Sequence, residues 1–93
     1  MHLHKPPLEE VWYRIKPLEG EKFETKIGKP FTFEISGNVL GPSRTNYNIA
    51  KIDFERAFSL VPFDGPSVVS EIVRGSAYIW AILHDRRVRN GDF

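Results

Sequence analysis

Apolar and polar residues alternate with a period of two along three stretches in the first half of the chain, the pattern of strands with one face turned inward. In VWYRI, Val11, Tyr13 and Ile15 alternate with Trp12 and Arg14, and Pro17 and Gly20 end the run. From Lys22 to Ile27, Phe23, Thr25 and Ile27 oppose Lys22, Glu24 and Lys26. In FTFEI, Phe31, Phe33 and Ile35 oppose Thr32 and Glu34. The connecting GKP at 28–30 has a glycine free to take positive φ, so the two runs predict a β-hairpin.

After Gly37, Gly41 and Pro42 the period changes. Ala50, Phe54, Ala57, Phe58 and Val61 fall at spacings of three and four, with Ile49 and Ile52 widening the stripe, which predicts a helix over 49–60. Asn48 is its expected N-cap and Pro62 its stop. DGPS at 64–67 predicts a turn and a second, shorter helix, with Pro66 in its first turn or Ser67 as its cap, running through Val73 to Gly75. SAYIWAIL at 76–83 is apolar on both alternating faces and reads as an inner strand covered on both sides. The closing RNGDF suits a hairpin turn whose second strand is missing. The order strand, hairpin, two helices, strand predicts an α+β fold: a small antiparallel sheet of three to four strands packed on one face by two short helices. Residues 1–7, ending in Pro6-Pro7, are expected to be a flexible arm leading into a single domain over 8–93.

Composition narrows the chemistry. A chain of 93 residues is too short to close two separate cores, and 41% hydrophobic with seven Phe, three Tyr and two Trp is ample for one. The formal charge of +1 supplies no global field toward nucleic acid or membrane, so any such attraction must be local. The absence of cysteine excludes disulfides, thiolate metal sites and a cysteine nucleophile. MHLHKPPLEE has no apolar run fit for a signal peptide or anchor, and cytoplasmic residence is the expectation. His2 and His4 share a spacing but have no third ligand beside them, so no metal and no cofactor is implied.

The segment GPSRTNYNIAKIDF at 41–54 carries the first candidate site. Arg44, Thr45, Asn46, Tyr47 and Asn48 pair hydrogen-bonding groups with one stacking ring, a set suited to phosphates and bases. Turn chemistry accounts for the threonine and asparagines, and least for Arg44. The second candidate is basic: Arg86, Arg87 and Arg89 near the C-terminus, with Arg74 before the last apolar run. On an extended tail Arg87 and Arg89 point one way and Arg86 the other. The third is His84, followed by Asp85, where a rigid apolar segment ends and catalytic groups often stand. With Arg86, Arg87 and Tyr78 it could do acid and base work on a phosphodiester.

These residues lead to a small binding module that grips a phosphate-bearing partner, nucleic acid foremost, through the 44–48 loop and the C-terminal arginines. Two alternatives stand beside it. The apolar run at 76–83 and an unfinished edge at RNGDF would suit a homodimer joined through the sheet. His84 would suit a small metal-independent nuclease or toxin-like enzyme. No membrane partner is expected.

Overall fold

The computed structural model describes residues 5–93. Helix α1 (Leu8–Ile15) comes first, followed by a 3₁₀ turn at Lys16–Leu18. Five short strands come next: β1 (Phe23–Glu24), β2 (Pro30–Phe31), β3 (Phe33–Ser36), β4 (Val39–Pro42) and β5 (Ile49–Ala50). Helix α2 (Lys51–Phe58), a 3₁₀ turn at Pro66–Val68, helix α3 (Ser76–Leu83) and the one-turn helix α4 (Arg86–Arg89) complete the order. The fold is α+β, with two small antiparallel sheets, one of two strands (β1-β2) and one of three (β3-β4-β5).

The predicted hairpin is present. Phe23 pairs with Phe31 and Glu24 with Pro30. Its connection is longer than GKP, since the Thr25 amide donates to Lys29 O and the Gly28 amide to Thr25 O. FTFEI does not remain one strand. It breaks at Thr32, whose amide takes Ser43 Oγ and whose carbonyl takes the Ser43 amide, so Phe31 stays with β1 while Phe33 pairs with Pro42.

Several segments differ from the expected order. The expected strand at 11–15 is α1, because the buried set is Leu8, Val11, Trp12 and Ile15, spaced three and four apart, while Tyr13 is 66% exposed. Glu9 and Glu10 in its first turn and Arg14 in its last complement the helix dipole. The expected inner strand at 76–83 is α3. A helix packed on most of its sides is apolar all round and shows no period that separates it from a covered strand. The expected helix from 67 to 73 shrinks to the 3₁₀ turn at Pro66–Val68. Gly41 and Pro42 lie within β4, whose pairing with β3 turns at Gly37-Asn38. The helix at 49–60 begins two residues later as α2, after β5, and its N-cap is Ala50 with no side-chain bond, so Asn48 does not cap it. RNGDF forms no strand: Asn90 ends α4 in a left-handed conformation (φ 52°).

Nineteen buried apolar residues form one core cluster. Trp12 meets Phe54 edge-on at 5.4 Å, and Phe23 packs on both Phe31 and Phe33. The expected stripe of α2 is largely right: Phe54, Ala57 and Phe58 are buried, while Ile52 is 48% exposed. Of the expected arm, His2 and His4 lie outside the described residues. Lys5 donates to Phe58 O at 2.9 Å and lies over the Phe58 ring.

The chain end is clipped to α1. Arg14 donates to the Val88 and Arg89 carbonyls at the end of α4 and pairs with Asp92 at 2.6 Å and Glu10 at 2.8 Å. Burial pulls the Arg14 guanidinium down, but its bonds to Asp92 and Glu10 outweigh that and raise it above its ordinary value.

Candidate functional site

The turn between β1 and β2 lies against the start of α3, and a depression of about 290 Å³ opens between them. Thr25, Ile27, Pro66, Ala77 and Tyr78 line it together with the carbon stems of Lys26, Lys29 and Arg44. Each cation has an identifiable anchor. Arg44 leans on the hairpin through Pro30 O at 3.4 Å, and Lys26 donates to Asp64 O at 2.7 Å. Lys29 is held in the turn by its own backbone, through Thr25. No carboxylate lines the depression, and among the described residues none forms an ion pair with any of the three. Tyr78 stands at its wall, edge-on to Phe31 at 5.0 Å.

Arg74 precedes α3 and lies over Tyr47, while Arg44 and Tyr78 border the depression at the start of α3. Tyr47 lies under the Arg74 guanidinium at 5.3 Å and against Gly75, which accounts for its ring by packing. Thr45 Oγ1 accepts from the Tyr47 amide, closing a local turn. Asn46 is exposed, and Asn48 presses its Oδ1 against Gly41.

The C-terminal arginines do not join this group. Asp85 caps α4 by accepting from the Arg87 amide, and the same carboxylate takes the Arg87 side chain in two bonds of 2.9 Å. Arg87 also reaches Lys22 O and lies over the Phe23 ring at 4.3 Å. Arg89 turns back to Phe93 O, and Arg86 is exposed. A helical turn spreads consecutive arginines around an axis, so their nearness in sequence is not nearness in space. Burial pushes the Asp85 carboxyl up, but bonds from Arg87 and the charges of Arg87 and Arg86 outweigh it and hold it below its ordinary value. Asp85→Ala is expected to cost about 1 kcal/mol at pH 7 through the lost cap, read as a lower denaturation midpoint. The difference should vanish as pH falls below 3.8, where the native carboxylate takes up its proton.

A second depression, of about 460 Å³, adjoins the first and shares Thr25 and Lys26 with it. Lys22, Glu24, Trp80, Ala81, His84 and Asp85 also line it, so two cations face two carboxylates and its charge cancels. His84 has neither ring nitrogen open here. Nε2 accepts from the Phe63 amide at 3.2 Å, which makes Nδ1 the protonated nitrogen, donating to Trp80 O at 3.0 Å. Trp80 Nε1 donates to Phe63 O at 3.1 Å, and the His84 ring stacks on Trp80 and meets Phe63 edge-on. With Asp85 turned to Arg87 and both imidazole nitrogens on backbone groups, the arrangement offers no free base beside an arginine. A third depression, also about 460 Å³, lies along β3 and β4, where Glu19 and Glu34 give it the wrong sign for phosphate.

The sequence pattern gives no sign of Lys26 and Lys29, which belong to the outward face of a hairpin and look like any solvated charges. Ile27 between them is 78% exposed at the turn tip and adds an apolar side chain to the depression. Both segments that suggested a sheet-edge dimer, 76–83 and the chain end, are helix or turn. Among the described residues no group of three His, Asp or Glu side chains could hold a metal, and no helix is long and apolar enough to cross a membrane. No known protein family, curated protein or solved structure matches the chain.

Proposed function

We propose that the protein is a binding module that grips a phosphate-bearing partner, nucleic acid foremost, through the surface made by Lys26, Lys29 and Arg44. One observation carries this reading: cationic residues from two segments, Lys26, Lys29 and Arg44, border one depression with no carboxylate in its lining. In a chain whose formal charge is only +1, that makes a local positive field where the composition supplies no global one. In this reading Arg44 acts with the two hairpin lysines rather than with the C-terminal arginines.

Oligonucleotide binding measured across a salt series tests it. Three phosphate contacts on a single strand give a slope of about −2 in log K against log salt, and Arg44→Ala or Lys29→Ala should each reduce that slope by about 0.7. Both side chains are exposed, so neither substitution disturbs the core. Absence of binding at low salt would end this reading.

A further inference from the structure

The depression is apolar almost throughout, the carbon stems of Lys26, Lys29 and Arg44 included. Pro66, Ala77, the Tyr78 ring and the exposed Ile27 enclose about 290 Å³. Small-molecule pockets span about 300–1,000 Å³, so this space is at their lower limit and takes one flat group rather than a larger ligand. No Asn, Gln, Asp or Glu lines it, so the base-edge readers that pair with adenine and cytosine are absent from it. An apolar slot among cations fits a guest that joins an uncharged flat ring to flanking negative charges.

Resting on the binding reading above, we infer that the partner is single-stranded nucleic acid, with one unpaired base seated between Ile27, Pro66, Ala77 and Tyr78 and its flanking phosphates on Lys26, Lys29 and Arg44. In a duplex the bases are stacked and paired, and only the phosphates reach the protein. In a single strand a base is free to leave the stack and enter. Recognition is then by stacking, apolar contact and charge. Glu24 and Asp85 cancel the charge of the adjoining depression, so the grip is short: one base and the phosphates on either side of it.

The test is fluorescence anisotropy with four labelled probes at one low salt concentration. The probes are a short single-stranded oligonucleotide of mixed sequence, the same strand with abasic sites throughout, its duplex, and a peptide of alternating Glu and Phe with matched charge. The intact strand is expected to bind about tenfold or more tightly than the abasic strand and the duplex, the gain of one stacked base. Ile27→Ser, at a position 78% exposed, should remove much of that gain while leaving abasic-strand binding unchanged. Equal binding of the intact strand, abasic strand and duplex overturns the inference and leaves the phosphate grip standing. Peptide binding as tight as that of the strand overturns it in favour of a protein partner. No binding of any probe overturns the inference and the grip together.

Discussion

Gly75→Ala is expected to lower stability by about 2–5 kcal/mol, a large share of the roughly 5–15 kcal/mol that holds a domain of this kind together. Gly75 sits at φ 74° and ψ 36°, immediately before α3. A residue with a Cβ pays about 1–2 kcal/mol in that left-handed region. A Cβ there would also lie 2.8 Å from Ile49 Cγ1, and Ile49 is fully buried beneath it. Forcing a methyl group into such a contact costs about 1–3 kcal/mol more. The thermal midpoint should fall by roughly 10 °C or more. Gly28 separates the two causes: it has φ 88° with nothing within 4 Å of an added Cβ, so Gly28→Ala carries the conformational cost alone. If the two variants melt together, the crowding against Ile49 is not real. Ile49→Val in the Gly75→Ala background should recover part of the loss, because it removes Ile49 Cδ1, which the new methyl also meets.

Gly75 also shows why some of the fold was legible in the sequence and some was not. Its place at the end of an expected helix was nearly right as punctuation, but the segment after it is helix rather than strand. Tyr78, Ile79, Trp80, Ile82 and Leu83 are apolar wherever a period of two or of 3.6 would place them. The same run therefore serves a covered strand or a surrounded helix, and only tertiary contacts decide. At the other end, VWYRI is too short to separate the periods. Adding Leu8 gives the helical set of Leu8, Val11, Trp12 and Ile15, which the shorter window hides. The hairpin of Phe23 and Phe31 and the stripe of Phe54, Ala57 and Phe58 were legible because one buried face alternates with one wet face over enough residues. The strand at Val39–Pro42 was hidden by glycine and proline, although Gly37-Asn38 is itself a two-residue turn signal.

The candidate site divides along similar lines. Arg44 drew notice because turn chemistry does not call for an arginine, and it stands beside Tyr78 at the depression. Lys26 and Lys29 gave no such sign, since a half-buried hairpin carries lysines on its wet face in any case. Arg86, Arg87 and Arg89 gave a false one. Their clustering in sequence is undone by one helical turn and by Asp85, which caps that turn and takes Arg87 with the same carboxylate.

His84→Phe should separate a latch from a catalyst. His84 and Trp80, both on or beside α3, hold the two backbone groups of Phe63: one accepts its N–H and the other donates to its carbonyl. Lys26 holds the next residue through Asp64 O, so this loop is fixed to the wall shared by both depressions. Phenylalanine keeps a flat ring against Trp80 and Phe63 but leaves the half-buried Phe63 amide without its acceptor, a loss of about 1 kcal/mol. The pH dependence is the sharper readout. Burial lowers the His84 imidazole below its ordinary 6.5, the charge of Arg89 adds to this, and the bond to Trp80 O only partly opposes it. A proton on Nε2 would also face the Phe63 N–H directly. The unfolded chain therefore takes up this proton first. The stability that His84 supplies is fully present above pH 6.5 and is lost as pH falls from there toward the lower folded-state value. Thermal melts between pH 7.5 and 5 should show the native protein losing stability more steeply than His84→Phe, with the gap between them closing as pH falls. His2 and His4 are common to both proteins and cancel in the comparison. The carboxyl of Asp85 titrates below 3.8, outside the window. Parallel curves across that range would mean that the imidazole is not held neutral by Phe63, and the latch would have to be abandoned.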